Sequence, residues 1–210
     1  MNLDTTLYFV TDSTGRQEKE FLSIVDQALT GGVTILQLRE KNKSTRAYID
    51  LASKVHEIAL SHQVPLIIDD RVDVALAMDA EGVHLGQEDM DIAQARKILG
   101  PDKIIGGTTK TVPQAKEAYE KGADYLGVGA IYPTTTKVKT VLTSTDTLKE
   151  ICETVPIPVN AIGGLNPNNC SVLEGCGIAG LCVVSAIMRA DDPAAQANTL
   201  YKCAKQLKKN

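Results

Sequence analysis

The sequence predicts an α/β fold, a closed (β/α)8 TIM barrel, and three observations carry that expectation. Short apolar segments alternate with helix-like segments about eight times along the chain. No linker or shift in composition divides the 210 residues, so 1–210 is expected to be a single domain. Eight strand and helix pairs in one domain favour a closed barrel over an open doubly wound sheet. Finally, polar and charged residues collect just after the strands, where a barrel of this kind keeps its active site.

The elements follow in order. Leu7–Val10 is the first strand, and a helix over 18–29 ends before Gly31. The second strand, 33–38, leads to a helix over Thr45–Ser61 with Ser44 as its N-cap. Strand 64–68 precedes a short helix over 72–78, for which Gly82 is the expected stop. Strand Gly82–Leu85 is followed by helix Ile92–Leu99, bounded by Asp91 and Gly100. Strand 103–106 pairs with helix 112–121, which lies between Thr111 and Gly122. Strand Tyr125–Gly129 and helix Thr145–Thr154 form the sixth unit. In the seventh, strand 158–162 is followed by a helix over 167–173, capped by Asn166, with Pro167 at its first position and Gly175 beyond it. Strand 179–184 and helix Pro193–Leu207 complete the series.

Bulk properties narrow the function. Hydrophobic residues make up 43% and charged residues 23%, as in an ordinary globular enzyme or binding protein. A formal net charge of -4 gives no general attraction to nucleic acid or an anionic membrane, so an anion site has to be built locally. The first residues carry no leader-like basic and apolar pattern, and no apolar run is long enough to span a bilayer, so a cytoplasmic location is expected. The five cysteines include no Cys-x-x-Cys pair and read as reduced core residues rather than as a zinc site or a disulfide framework. Small-molecule substrates are the expected partners, with no nucleic acid and no membrane, and a homo-oligomer is compatible with the sequence.

The strand ends carry the chemistry. Side chains alternate across a strand, so Val33, Ile35, Gln37, Arg39 and Lys41 are expected to share one face, apolar at its base and polar at its mouth. An amide, a guanidinium and an ammonium above an apolar floor suit a phosphate ester or a diphosphate. Asp69 and Asp70 follow the third strand, and Gly86, Gln87 and Asp89 the fourth. Thr108 and Thr109 end the fifth, and Thr134, Thr135, Thr136 and Lys137 lie beyond the sixth. Gly163-Gly164 after the seventh strand and Val184-Ser185 after the eighth occupy the common phosphate position of such barrels.

Two aspartates beside an anion site would repel its ligand by roughly 4 kcal/mol per unit charge pair at about 4 Å and an effective dielectric near 20. A divalent cation reverses that sign. Magnesium takes one or two carboxylates together with water and substrate phosphate oxygens, which Asp70 and Asp89 on neighbouring strand ends can offer for Mg2+, the alternative for either being to cap the helix that follows it. His56 and His62 read as surface residues of the second helix, and His84 as a structural histidine in the fourth strand. No serine or cysteine has an evident histidine partner, so a nucleophilic triad is not expected.

With these residues in view, the chain resembles the thiamine phosphate synthase family nearly end to end. The resemblance rests on Tyr8-Phe9-Val10-Thr11-Asp12, Gln37-Leu38-Arg39-Glu40-Lys41, Ile67-Ile68-Asp69-Asp70-Arg71, Gly82-Val83-His84-Leu85-Gly86-Gln87-Glu88-Asp89, Tyr132-Pro133-Thr134-Thr135-Thr136-Lys137, Ile162-Gly163-Gly164 and Val184-Ser185-Ala186. It implies a barrel transferase that joins an aminopyrimidine methyl diphosphate to a thiazole phosphate, giving thiamine phosphate and diphosphate. It further implies that Gln37, Leu38, Arg39, Glu40, Lys41, Asp69, Thr108 and Lys137 hold the pyrimidine diphosphate. Arg39, Lys41 and Lys137 would be the catalytic cations, and Asp70 and Asp89 the magnesium ligands. Thr134, Thr135, Thr136, Gly164, Val184 and Ser185 would hold the thiazole phosphate.

This chain departs from the family pattern at Asp69, where asparagine is frequent, and at Thr108, where serine is frequent. Asn160 is an unusual polar residue for a strand and has no assigned role. Two other functions use the same residues differently: a Schiff-base aldolase acting through Lys137, and a thiazole-processing or regulatory barrel without synthase activity. Neither explains why Arg39, Lys41, Asp70 and Asp89 occur together.

Overall fold

The computed structural model describes residues 3–134 and 141–208. Eight parallel strands close into a barrel in chain order: β1 Leu7–Val10, β2 Ile35–Leu38, β3 Leu66–Asp69, β4 Gly82–Leu85, β5 Ile104–Thr109, β6 Tyr125–Gly129, β7 Val159–Ile162 and β8 Gly180–Val183. The β1–β8 pairing closes the ring in the register Leu7 to Leu181, Tyr8 to Cys182 and Phe9 to Val183. Around it run α1 Glu18–Thr30, α2 Thr45–Ser61, α3 Val72–Ala77, α4 Ile92–Leu99, α5 Val112–Glu120, α6 Thr145–Thr154, α7 Ser185–Met188 and α8 Pro193–Leu207.

Alternation along the strands sorts the core into two layers. Leu36, Leu38, Leu66, Ile68, Val83, Leu126 and Leu181 point outward and pack with helix residues such as Phe21, Val25, Tyr48, Val55, Leu148 and Leu200. Tyr8, Val10, Ile35, Ile67, Ile104, Tyr125 and Cys182 form a smaller cluster inside the barrel. Ile35 and Gln37 therefore share the inner face as expected. Val33 does not: it precedes the strand and joins the outer layer.

Local chemistry accounts for most helix ends. Ser44 accepts from the backbone N–H of Ala47, Asp91 from Ala93 and Gln94, and Thr111 from Gln114, so three of the expected N-caps are in place. The fourth is not. After β7, Asn166 accepts from the N–H of Asn168 at 2.9 Å and gives its own N–H to Asn169 Oδ1 at 2.8 Å. These side-chain bonds close tight turns in competition with an α-helix, and only a 3-10 turn over Cys170–Leu173 follows. The helix near this position is instead α7, directly after β8.

Gly82 is likewise no helix stop. It is the first residue of β4, and a Cβ there would strike the backbone oxygen of Ile104 on β5. The preceding helix α3 ends at Ala77 with Met78 as its C-cap, and Asp79 takes the left-handed turn at φ 55°. Cys152, Cys170, Cys176, Cys182 and Cys203 are all free thiols. No helix among the described residues is long and apolar enough to cross a membrane.

Candidate active site

The carboxyl ends of β2, β3 and β4 bring the charged residues together. Tyr48 on α2 donates its hydroxyl to the Leu38 carbonyl at 2.6 Å, and the Thr11 N–H bonds the Gln37 carbonyl at 2.9 Å, which fixes the end of β2. Beyond that anchor, the Lys41 ammonium lies 2.9 Å from Asp69 Oδ2 and also pairs with Asp70. Arg39 Nε stands 3.9 Å from Asp69 Oδ2. Asp70 adopts φ 60°, the left-handed region, at the turn that joins the strand end to α3.

Asp89 Oδ2 accepts the Gly86 N–H at 2.7 Å and lies within hydrogen-bonding reach of Asp70. Two cationic side chains and three carboxylates thus share one rim.

The electrostatics show a site short of positive charge. Burial, and then the charge of Asp70, push the Asp69 carboxyl up to about 6, against the lowering effect of Lys41 and Arg39. Burial and the neighbouring Asp70 also raise Asp89, although the Gly86 N–H opposes the shift. Burial alone would lower Lys41, but Asp69 and Asp70 together hold it above the usual lysine value.

Among the described residues no three His, Cys, Asp or Glu side chains are grouped to hold a metal by themselves. The pair Asp70 and Asp89 fits magnesium in the form that uses few protein ligands and draws the rest from water and substrate phosphate.

The other residues of the expected sequence run are placed differently. The Leu38 side chain belongs to the outer core and its carbonyl is taken by Tyr48. The Glu40 side chain is 6% exposed and lies 3.9 Å from Lys43. Burial raises its carboxyl, which the Ser13 hydroxyl and Lys43 partly offset. Leu38 and Glu40 therefore build the wall that carries Gln37, Arg39 and Lys41.

Across the barrel, Gly164 has φ 66°, and a Cβ there would come 2.7 Å from the Tyr132 Cβ and 3.0 Å from the Pro133 oxygen. The turn containing Gly164 is thereby pressed against the segment leading to Thr134. Asn169 supports it by donating to the Gly164 carbonyl at 2.9 Å. Val184 is the N-cap of α7 and Ser185 its first residue, so their backbone N–H groups belong to the unpaired first turn of a helix. Thr135, Thr136 and Lys137 lie outside the described residues, and with Lys137 the proposed aldolase nucleophile.

Sequence reasoning missed the polar interior beneath the charged rim. Gln37 Nε2 donates to Tyr8 Oη at 2.6 Å, and Tyr8 Oη is 2.6 Å from Tyr125 Oη. Tyr125 Oη is 3.0 Å from His84 Nδ1, and His84 Nε2 is 2.8 Å from Thr108 Oγ1. The available signal was the alternation itself, which places Tyr8, Gln37, His84, Thr108 and Tyr125 on inward-facing positions. His56 is also less superficial than expected: its Nε2 meets Glu81 Oε1 at 3.0 Å, and Glu81 Oε2 accepts the Leu66 N–H at 2.8 Å. Asn160 gains a structural account, donating to the Thr5 carbonyl at 2.6 Å inside the barrel.

Comparison with known proteins agrees with this fold. The family model described as thiamine monophosphate synthase matches residues 7–187. The chain is 53% identical over 196 residues to thiamine-phosphate synthase 2 of Streptococcus pneumoniae, covering 93% of each chain. It is 49% identical over 201 residues to the thiamine-phosphate synthase of Methanobrevibacter smithii, covering 96% of each. Among solved structures, the thiamine phosphate pyrophosphorylase of Pyrococcus furiosus superposes with a TM-score of 0.89 at 38% identity and 98% coverage of both chains. On this match over nearly its whole length, the chain belongs to the thiamine monophosphate synthase family.

Proposed function

We propose that this chain is a thiamine-phosphate synthase. It is a transferase that moves the pyrimidinylmethyl group of 4-amino-2-methyl-5-(diphosphooxymethyl)pyrimidine onto the nitrogen of 4-methyl-5-(2-phosphooxyethyl)thiazole. The observation that carries the reading is the joint placement of Arg39, Lys41, Asp70 and Asp89 at one rim of the barrel. An anion site alone would need only the cations.

In this reading Gln37, Arg39, Lys41, Asp69, Thr108 and Lys137, with the wall formed by Leu38 and Glu40, hold the pyrimidine diphosphate. Thr134, Thr135, Thr136, Gly164, Val184 and Ser185 hold the thiazole phosphate.

The bond from the methylene carbon to the diphosphate oxygen breaks, and its electron pair leaves with the diphosphate. Arg39, Lys41 and Lys137 stabilise the charge that builds there, while the aminopyrimidine ring supports the positive carbon. The thiazole nitrogen then gives its lone pair to that carbon and becomes a thiazolium. It carries no proton to lose, so the site needs no general base. Asp70 and Asp89 would hold magnesium, which would supply further neutralisation of the diphosphate. Catalysis consists of leaving-group electrostatics and alignment of the two substrates. The substrates are small phosphorylated heterocycles, which suits an enzyme of the cytosol.

The test is formation of thiamine phosphate from the two substrates with magnesium. The reaction is expected to proceed with magnesium and to stop when a chelator removes it. Asp89→Ala is expected to abolish magnesium-dependent turnover while circular dichroism shows an intact fold. Full activity of that variant would remove Asp89 from the metal site, and no product from the wild-type chain would overturn the function.

A further inference from the structure

Helix α7 is four residues long, and a helix so short takes its shape from its surroundings. Its N-cap, Val184, supplies no side-chain bond to the first turn. Ile187 and Met188 are buried and seat α7 on the core, but apolar contact is not directional. Its orientation has to come from polar bonds.

One such bond crosses the seam between β8 and β1. Arg16, in the loop between β1 and α1, donates from Nη2 to the Met188 carbonyl at 2.5 Å, over 172 residues of sequence. Its Nη1 pairs with Glu20 on α1. A single planar guanidinium thus ties the end of α7 to the first turns of α1. Only 23% of the Arg16 side chain is exposed, so water competes weakly for the bond.

The loop is built to hold Arg16 in place. Asp12 Oδ1 accepts the Thr14 N–H at 3.2 Å, the Arg16 N–H bonds the Ser13 carbonyl at 3.1 Å, and Gly15 takes φ 73° at the third position of that turn. On the other side, the Ser13 hydroxyl meets the Glu40 carboxyl beyond β2. Arg16 therefore extends from a turn that is itself bonded to the barrel.

Met188 passes the constraint on. Its carbonyl takes Arg16 while its N–H bonds the Val184 carbonyl at 3.0 Å, and the next N–H, of Arg189, bonds the Ser185 carbonyl at 3.1 Å. Those two carbonyls belong to residues assigned above to the thiazole phosphate.

We propose that Arg16 is a positioning residue for the thiazole phosphate half of the site, acting through the Met188 carbonyl to hold α7 so that Val184 and Ser185 keep one orientation. It works on the protein and not on the substrate. The inference rests on the functional reading above for its substrate, but the tie to α7 can be observed without turnover.

Amide hydrogen exchange of the free chain is the first test. Arg16→Ala should speed exchange of the Met188 and Arg189 amides about tenfold or more, because the turn they close opens more often. Glu20→Ala leaves the bond to Met188 in place and should change both by less than about twofold. Unchanged exchange at both amides in Arg16→Ala overturns the proposal.

In steady-state kinetics, Arg16→Ala should raise KM for the thiazole phosphate about tenfold, while KM for the pyrimidine diphosphate stays within about twofold. Arg16→Lys keeps a cation that can donate to one carbonyl and should recover part of the loss. Equal changes in both KM values, or none in either, reduce Arg16 to a support of the fold and overturn the positioning role. A rise in KM without faster exchange marks a direct contact with the substrate and overturns it equally. Should Arg16→Ala fail to fold, Arg16→Lys carries both measurements, with smaller changes in the same direction expected. Should the wild-type chain make no thiamine phosphate, the functional reading falls while hydrogen exchange still decides the tie between Arg16 and α7.

Discussion

Asp69 shows how much a single residue at the rim responds to its neighbours. Its carboxyl is held up to about 6 by burial and by Asp70, despite Lys41 at 2.9 Å. Between about pH 4 and pH 6 the folded chain therefore binds a proton that the unfolded chain has released, and stability falls as pH rises through that window. Asp69→Asn is expected to match the wild type in stability at pH 4 and exceed it at pH 7, by at most about 3 kcal/mol. Urea unfolding in chelator at the two pH values measures this, and a variant less stable at pH 7 would show the Lys41 pair to dominate. The rim members of this cluster were legible in the sequence because short-range alternation places Gln37, Asp69 and their neighbours on inward faces at strand ends. Tyr8 and Tyr125 were not, since a tyrosine in a short strand reads as core and these hydroxyls meet across 117 residues of sequence.

At the level of elements, the segment after β7 forms turns and a 3-10 turn where a helix was expected, and a short extra helix, α7, follows β8 ahead of the expected α8. Asn166-Pro167 carries the local signature of a helix start, yet the side chains of Asn166 and Asn169 bind nearby backbone and hold the segment in turns. The helix terminus at the end of the neighbouring strand comes from α7, four residues long and too short to announce itself by periodicity. Gly164 keeps its importance for a reason found only in the fold, the 2.7 Å approach that any Cβ would make to Tyr132. Gly164→Val is expected to raise KM for the thiazole phosphate at least tenfold, with a smaller change for the pyrimidine diphosphate. Initial-rate kinetics with each substrate varied in turn measures the difference, and equal changes would move the phosphate cradle elsewhere.

For the whole molecule, the decisive contact is the closure of β8 onto β1. Gly180 lies where a Cβ would strike the Thr5 carbonyl oxygen and come 2.6 Å from that of Thr6 and 2.8 Å from Asn160 Nδ2. Backbone on both sides leaves no flexible atom to yield, so Gly180→Ala is expected to cost about 1–3 kcal/mol or more. The loss should appear as an earlier, still cooperative urea transition, and an unchanged midpoint would show that the seam can adjust. The sequence by itself determined the alternation of strand and helix, the closed barrel and the polar strand ends, because hydrophobic period, caps and turn residues act over a few positions. Tertiary structure alone decided that Lys41 lies between two aspartates and that five inward side chains join Gln37 to Thr108. Those arrangements depend on register around a ring, which brings together residues that no local pattern relates.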